Sequence, residues 1–161
     1  MSISDRIIAW ATARKPNLCV GGETNPYMRR WYVIPRNPFL NIYIHQFMRD
    51  DEDRACHDHP WWSFSWLMRG LLCEVTDTKI GRLRAHNNRI IFRGEFRFRS
   101  ATFAHRLVVP HGSRGDTWTL FITGPRLREW GFHCPKGWVH WREFTAGEQG
   151  EIVGRGCGDM F

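Results

Sequence analysis

Lysine is almost missing from this sequence. Lys15, Lys79 and Lys136 stand alone, so the net charge of +7 is carried almost wholly by arginine. Arginine offers a planar fork to carboxylates and phosphates. Here the arginines are scattered from Arg6 to Arg155 rather than gathered in a block, which reads as a solvated basic surface. No recognition motif accompanies them, so nucleic acid is not an expected partner. Long apolar runs are also lacking: no window approaches the roughly 18 to 20 consecutive apolar residues of a membrane span. The N-terminal stretch MSISDRIIAWATARKP carries an acidic Asp5 and no small-residue cleavage site, so it does not read as a secretory signal and a cytoplasmic protein is expected. The five cysteines are odd in number and contain no C-x-x-C pair. That argues against a zinc ribbon and a disulfide scaffold, and leaves small buried hydrophobes or idle thiols. Glycine-rich phosphate loops and a G-x-S-x-G elbow are absent as well.

What is present is ample material for a core. The 161 residues are 42% apolar and 14% aromatic, with nine tryptophans, a length that suits one domain. Ile3, Ile7, Ile8 and Ala11 recur at helical spacing, Ser2 or Ser4 can cap, and Pro16 lies beyond the end, which predicts a short helix over 3–14. A Gly-rich connector completes residues 1–26. Short β-type runs follow: Trp31 to Ile34, Leu40 to Phe47, two strands turning near Arg69-Gly70, Ile90 to Phe92, Glu95 to Arg99, Phe103 to Val109, Thr117 to Thr123, and Trp138 to Phe144 to close the set. Alternation puts Phe96 and Phe98 inward and Arg97 and Arg99 outward. Asp50 to Asp53 and Thr76 to Asn88 are polar and read as loops, and the Gly-rich tail 147–161 as flexible. One helix and about eight strands predict an all-β sandwich or barrel.

Eight histidines occur, and one pair has informative spacing. His57 and His59 flank a single residue, so on a strand both rings leave the same face. Two imidazoles can meet one divalent ion at about 2.0–2.2 Å, but a third ligand must come from elsewhere. His105, in a run flanked by Phe103, Leu107 and Val109, is either a satisfied core residue or that third ligand. Ser65 shares the parity of His57 and His59 and could hydrogen-bond a substrate. Asp58 and Cys56 point the other way; Asp58 reads as a solvated or Arg-paired carboxylate. His86 and His111 read as surface residues, and His45 lies on the polar face of its strand. His133 and His140 belong with Trp130, Phe132, Trp138 and Trp141 to a core or subunit interface, with a pocket rim as the alternative.

The run His57-Asp-His59-Pro60, followed by an aromatic strand ending at Gly70, resembles the first motif of the cupin superfamily. Phe103-Ala-His105-Arg-Leu resembles the second. More closely, RRWYVIPRNPFLNIYIHQFMRDDEDRACHDHPWW, WTLFITGPRLREWGF and KGWVHWREF are similar to cupin-like proteins of uncharacterised activity from bacteria and their phages. That likeness covers Arg29 to Phe144, about 70% of the chain. It implies a double-stranded β-helix (a jelly-roll barrel) behind a short N-terminal helix, with one divalent metal on His57, His59 and His105. Many metal cupins add a glutamate four or five residues after the second histidine. Here those positions are Ser63 and Phe64, and Glu74 lies beyond the Gly70 turn. A three-histidine site resembles the thiol dioxygenase branch, which implies Fe(II) first, with Zn, Ni or Cu as alternatives. The expected function is a metal-dependent oxygenase acting on a small, anionic substrate. A metal-free isomerase or epimerase and a non-catalytic binding or phage accessory module stay open. By the same resemblance a homodimer is expected.

Overall fold

A computed structural model describes residues 1–50, 55–80, 83–146 and 152–158. Helix α1, Ile3–Thr12, starts at Ser2, whose hydroxyl accepts from the Asp5 amide while Asp5 reaches back to the Ser2 amide. This reciprocal pairing satisfies two donors that a helix start leaves open. The strands are β1 (Leu18–Val20), β2 (Met28–Tyr32), β3 (Asn41–Phe47), β4 (Ser63–Arg69), β5 (Leu71–Ile80), β6 (Leu83–Phe92), β7 (Phe96–Arg99), β8 (Arg106–Val108), β9 (Thr117–Thr123), β10 (Gly131–Cys134) and β11 (Gly137–His140). After β11 come helix α2 (Trp141–Phe144) and the short pair β12 (Thr145–Ala146) and β13 (Ile152–Val153).

Six strands form an antiparallel sheet in the order β1-β2-β3-β9-β4-β7, and three form a second in the order β6-β5-β8. The sheets face each other across Met28, Phe47, Leu67, Leu72, Ile91 and Val109. Helix α1 covers the outer face of the larger sheet, where Ile8 and Ala11 meet Trp31, Ile44, Met68 and Trp118. A third cluster (Ala55, Phe132, Cys134, Trp141 and Phe144) forms a C-terminal lobe around the hairpin β10–β11. Gly70 makes the β4–β5 turn at φ 82°, and a side chain there would collide with Thr117.

The all-β reading holds, and the structure corrects several details. Thr76 to Asn88 is not a loop: β5 and β6 pair from Leu71↔Phe92 to Ile80↔Leu83. Residues 86–90 are solvent-exposed, so this ladder lies where no hydrophobic face is needed and leaves no apolar signature. Trp138 to Phe144 is half strand and half helix. The His140 ring accepts from the Arg142 amide, and Trp141 and Phe144, three residues apart, are buried together. The connector before Pro26 contains β1, which pairs with β2. Most of the acidic stretch 50–53 lies outside the described residues, as does the tail apart from 152–158. That part of the tail is tied down, by β13 pairing with β12 and by a disulfide from Cys157 to Cys134. The cysteine reading therefore fails for two of the five. Their partnership joins residues 23 apart in sequence, which no local spacing announces.

Parity at β7 is the largest correction. Arg99 is buried and Phe98 is 67% exposed, the reverse of the expectation. The cause is the polar inner face: Ser63 pairs with Arg99, and Ser65 with Arg97, across β4 and β7. The phenylalanines instead stack on the outside, Phe96 on Phe64 and Trp66, and Phe98 on Trp62.

Candidate metal centre

His57 and His59 do not sit in a long strand. His57 is a single bridge residue between two neighbours, His105 on one side and Phe132 on the other. The His57 amide donates to the His105 carbonyl at 2.9 Å and the His105 amide returns the bond at 3.0 Å. His59 is fixed by its amide donating to the Ala101 carbonyl at 3.1 Å. These bonds bring three histidines from two distant segments into one triangle, with ring centroids 5.0, 5.3 and 5.6 Å apart. One nitrogen from each ring lies within 4.8 Å of the other two. The Nε2 atoms of His59 and His105 are 3.0 Å apart.

Behind them lies a layer of which the sequence pointed only to Ser65. Glu74 Oε1 meets His105 Nδ1 at 2.6 Å and accepts from Arg99 Nε at 2.6 Å, while Arg99 Nη1 donates to Ser65 Oγ at 2.8 Å. Burial by itself raises the Glu74 carboxyl, but the His105 hydrogen bond and the Arg99 charge outweigh it and bring it down to about 2. Burial is also the main cause that lowers His105, to about 4, with Glu74 opposing and Arg99 assisting. So Glu74 is ionised and His105 neutral, with the proton on Nδ1 and the Nε2 lone pair turned toward His59. A carboxylate behind an imidazole is the arrangement that orients a metal-binding histidine and raises its basicity. His59 is held well below the ordinary range, first by burial and then by His57 and His105. Neutral imidazole is the ligating form.

The signal for Glu74 was available: it is two residues from Leu72 on a strand, so a buried Leu72 implies an inward Glu74. Ser65 is on the inner face of β4, a strand that begins beyond His57 and His59, and its contact is with Arg99 rather than with a histidine. Asp58 points away from the three rings, buried against Arg128 at 2.9 Å, and accepts from the Gly131 amide at 2.9 Å. His133 and Trp138 also reach Asp58, both at 3.2 Å. His140 meets Glu129, and His86 meets Asp77 at the surface. His45 faces inward and accepts from Arg30 Nε at 2.9 Å; burial, and then Arg30, hold it well below its usual range. Aromatic rings wall the triangle, with Trp130 parallel to His59 and Phe132 and Phe103 beside His57 and His105.

No family model and no curated protein matches the sequence. Solved structures do match in fold. The DMSP lyase DddQ from Ruegeria pomeroyi aligns with a TM-score of 0.56 at 15% identity, over 83% of this chain and 68% of its own. Both it and HppE, solved with Fe(II) and substrate, are cupin-type proteins. HppE aligns at 0.52 and 15% identity, over 69% of this chain and 57% of its own, less than two thirds of its length. This chain has the cupin fold. KdgF from Halomonas sp. is also similar, at 18% identity over 65% of this chain and 86% of its own, with a TM-score of 0.48. At such identities the likeness to DddQ and HppE speaks for the fold alone and leaves activity to the residues themselves. No helix among the described residues is long and apolar enough to cross a membrane.

Proposed function

We propose that this cupin binds one divalent metal on His57, His59 and His105, and that it is a metal-dependent oxygenase acting on a small anionic substrate. The observation that carries the metal is the triangle of ring nitrogens within 4.8 Å, with Glu74 behind His105. The donor set fits: three imidazoles suit Fe(II), which we place first, and equally Zn, Ni or Cu. An ion held on three imidazoles supplies Lewis acidity, open coordination positions and, for a redox-active metal, one-electron chemistry.

The remaining groups have separate duties. Glu74 keeps the His105 proton on Nδ1, and Arg99 holds Glu74 and Ser65 in place. Trp130, Phe103 and Phe132 keep water sparse around the rings. Arg30 supports the anionic character of the substrate. It shares the inner face with His45 across β2 and β3, donates to that neutral ring, and lies over Tyr43. Inward Arg97 and Arg99 each have a carboxylate partner, Glu95 and Glu74. Among the described residues Arg30 has none, so its fork is left to recognise a carboxylate or similar group.

One contact favours a second reading, a metal-free isomerase or epimerase with a histidine as general base. His59 and His105 at 3.0 Å form a good hydrogen bond between neutral imidazoles without any ion. A non-catalytic binding module is the third. Elemental analysis of protein purified without a histidine tag, beside a His57→Ala/His105→Ala double variant, separates them. Near-stoichiometric Fe, Zn, Ni or Cu that the variant loses supports the metal reading. Wild type still empty after reconstitution with Fe(II) and Zn(II) overturns it.

A further inference from the structure

The disulfide Cys134–Cys157 lies outside the histidine triangle, yet it fastens the strand on which His57 leans. β10 supplies one of the two walls of the ligand segment. The His133 amide donates to the Cys56 carbonyl at 2.8 Å, and the Asp58 amide donates to the Gly131 carbonyl at 3.0 Å. The Gly131 amide in turn donates to Asp58 Oδ1 at 2.9 Å. Phe132 sits between these contacts, its ring 5.4 Å from His57 and stacked at 3.5 Å on Phe144. The other wall is the exchange of amide bonds with His105. His57 has no longer ladder to keep it in place, since both of its bridges are isolated. The disulfide then closes the lobe from behind. Cys134 ends β10, Cys157 packs on the cluster of Phe132, Trp141 and Phe144, and the Gly156 amide donates to the Phe144 carbonyl at 2.8 Å.

We propose that this disulfide is a redox-operated clamp on the His57–His59 segment: closed, it holds the three histidines in ligating geometry, and opened by a cellular thiol it lowers the affinity of the site for its metal. The proposal rests on the metal reading for its consequence and on β10 for its mechanism. The exchange takes two thiols. A thiolate attacks Cys157 Sγ, the less buried sulfur, and forms a mixed disulfide while Cys134 leaves as a thiolate and takes a proton. A second thiolate then releases Cys157, so two electrons and two protons pass to the protein and the thiols leave as their disulfide. Cys56, adjacent to His57, does not compete. It is buried, its thiol reaches the Val75 carbonyl, and burial together with Asp77 pushes its pKa up to about 12, so it presents no thiolate to exchange.

Linkage makes the clamp testable from both ends. If closure tightens metal binding by some factor, bound metal must favour closure by the same factor. The first measurement is Zn(II) affinity of the full chain, by competition with a chromophoric chelator, for the oxidised protein and for Cys157→Ser. Loss of an outer support of a metal site costs roughly tenfold or more, and that is the weakening expected in the variant. The second is the position of the disulfide in glutathione buffers, with and without excess Zn(II), which needs no substitution. Metal should shift it toward closure by the same factor. Where Zn(II) binds, equal affinities together with an unmoved disulfide equilibrium overturn the clamp. Amide hydrogen exchange at His57, Asp58 and His105 in metal-free protein, oxidised and then reduced, separates the two readings. If no metal binds but protection falls on reduction, the metal reading fails and the clamp stands. If protection is unchanged, the clamp fails whatever the metal result.

Discussion

The inner surface of the barrel has two ends built from the same strands, and they differ by two residues along each. On β2 the inward pair is Met28 and Arg30; on β3 it is Phe47 and His45; on β4, Leu67 and Ser65; on β5, Leu72 and Glu74. The first members make the apolar cluster between the sheets. The second carry the hydrogen-bonded groups around the histidines. The same four strands serve both ends, so the difference lies in how each satisfies its buried atoms. The apolar end gains from removing surface from water. At the polar end, by contrast, Arg99 and Glu74 are desolvated, and that cost is offset only while their mutual contacts hold.

The largest expected effect breaks the comparison at the polar end. Glu74→Ala strands buried Arg99 without its counter-charge and frees His105 Nδ1, and should lower stability by about 3–5 kcal/mol in urea unfolding. Leu67→Ala, one strand away at the apolar end, should cost about 3 kcal/mol as a cavity and leave Zn(II) stoichiometry unchanged. A Glu74→Leu/Arg99→Met double variant sharpens the contrast. It should recover to within about 1 kcal/mol of wild type and yet hold Zn(II) weakly. A double variant as unstable as Glu74→Ala would show that the pair stabilises the fold rather than arranging the site.

Acid should separate the two ends next, because only one of them titrates. His105 takes a proton at about 4 in the folded protein against an ordinary 6.5. Between those values the unfolded chain binds the proton that the folded one refuses, so metal-free stability falls as pH drops from about 6.5 to 4. Buried His59 acts in the same direction. Glu74 extends the loss: its stabilisation is complete above its ordinary 4.5 and disappears as pH falls through about 2. Urea midpoints of metal-free protein at about pH 7.5 and pH 4.5 should differ in wild type and in Leu67→Ala alike, and much less in a His59→Leu/His105→Leu variant that lacks the two buried rings. An equal slope in all three would place the titration elsewhere.

Much of this was legible from residue pattern. Thr117–Thr123 is a strand over the range that its alternation marked out, and the ring nitrogens of His57, His59 and His105 lie together, although the first two are not on a strand as the parity argument supposed. Glu74 was harder, since separation by a turn says nothing about distance once β5 pairs with β8, placing Glu74 opposite Leu107. The disulfide was invisible because only the C-terminal lobe, with Cys134 on its hairpin and Cys157 in its cluster, brings the two sulfurs together. β7 misled for a different reason. Placing apolar residues inward presumes an apolar interior, and that strand runs past the polar end.

The reversed parity of β7 leads to the smallest effect on folding and the clearest effect on association. Phe64 and Phe98 lie opposite each other on the outer face, beside Ile122 and Ile42 of the neighbouring strands, beyond the part that α1 covers. Phe92, Phe96 and Phe98 are all exposed, and β7 is an edge strand of its sheet. An apolar edge with inward arginines offers no outward charge to discourage pairing with a second copy. A homodimer, as the cupin resemblance implies, would use this edge. Phe96→Ser/Phe98→Ser should change monomer stability by only about 0.5 kcal/mol per site, because these rings gain little from burial within one chain. In sedimentation velocity the wild type should run as a dimer and the variant as a monomer. A wild type that is monomeric at all concentrations would remove the dimer and leave the exposed phenylalanines to another partner; a variant that stays dimeric would move the interface off β7.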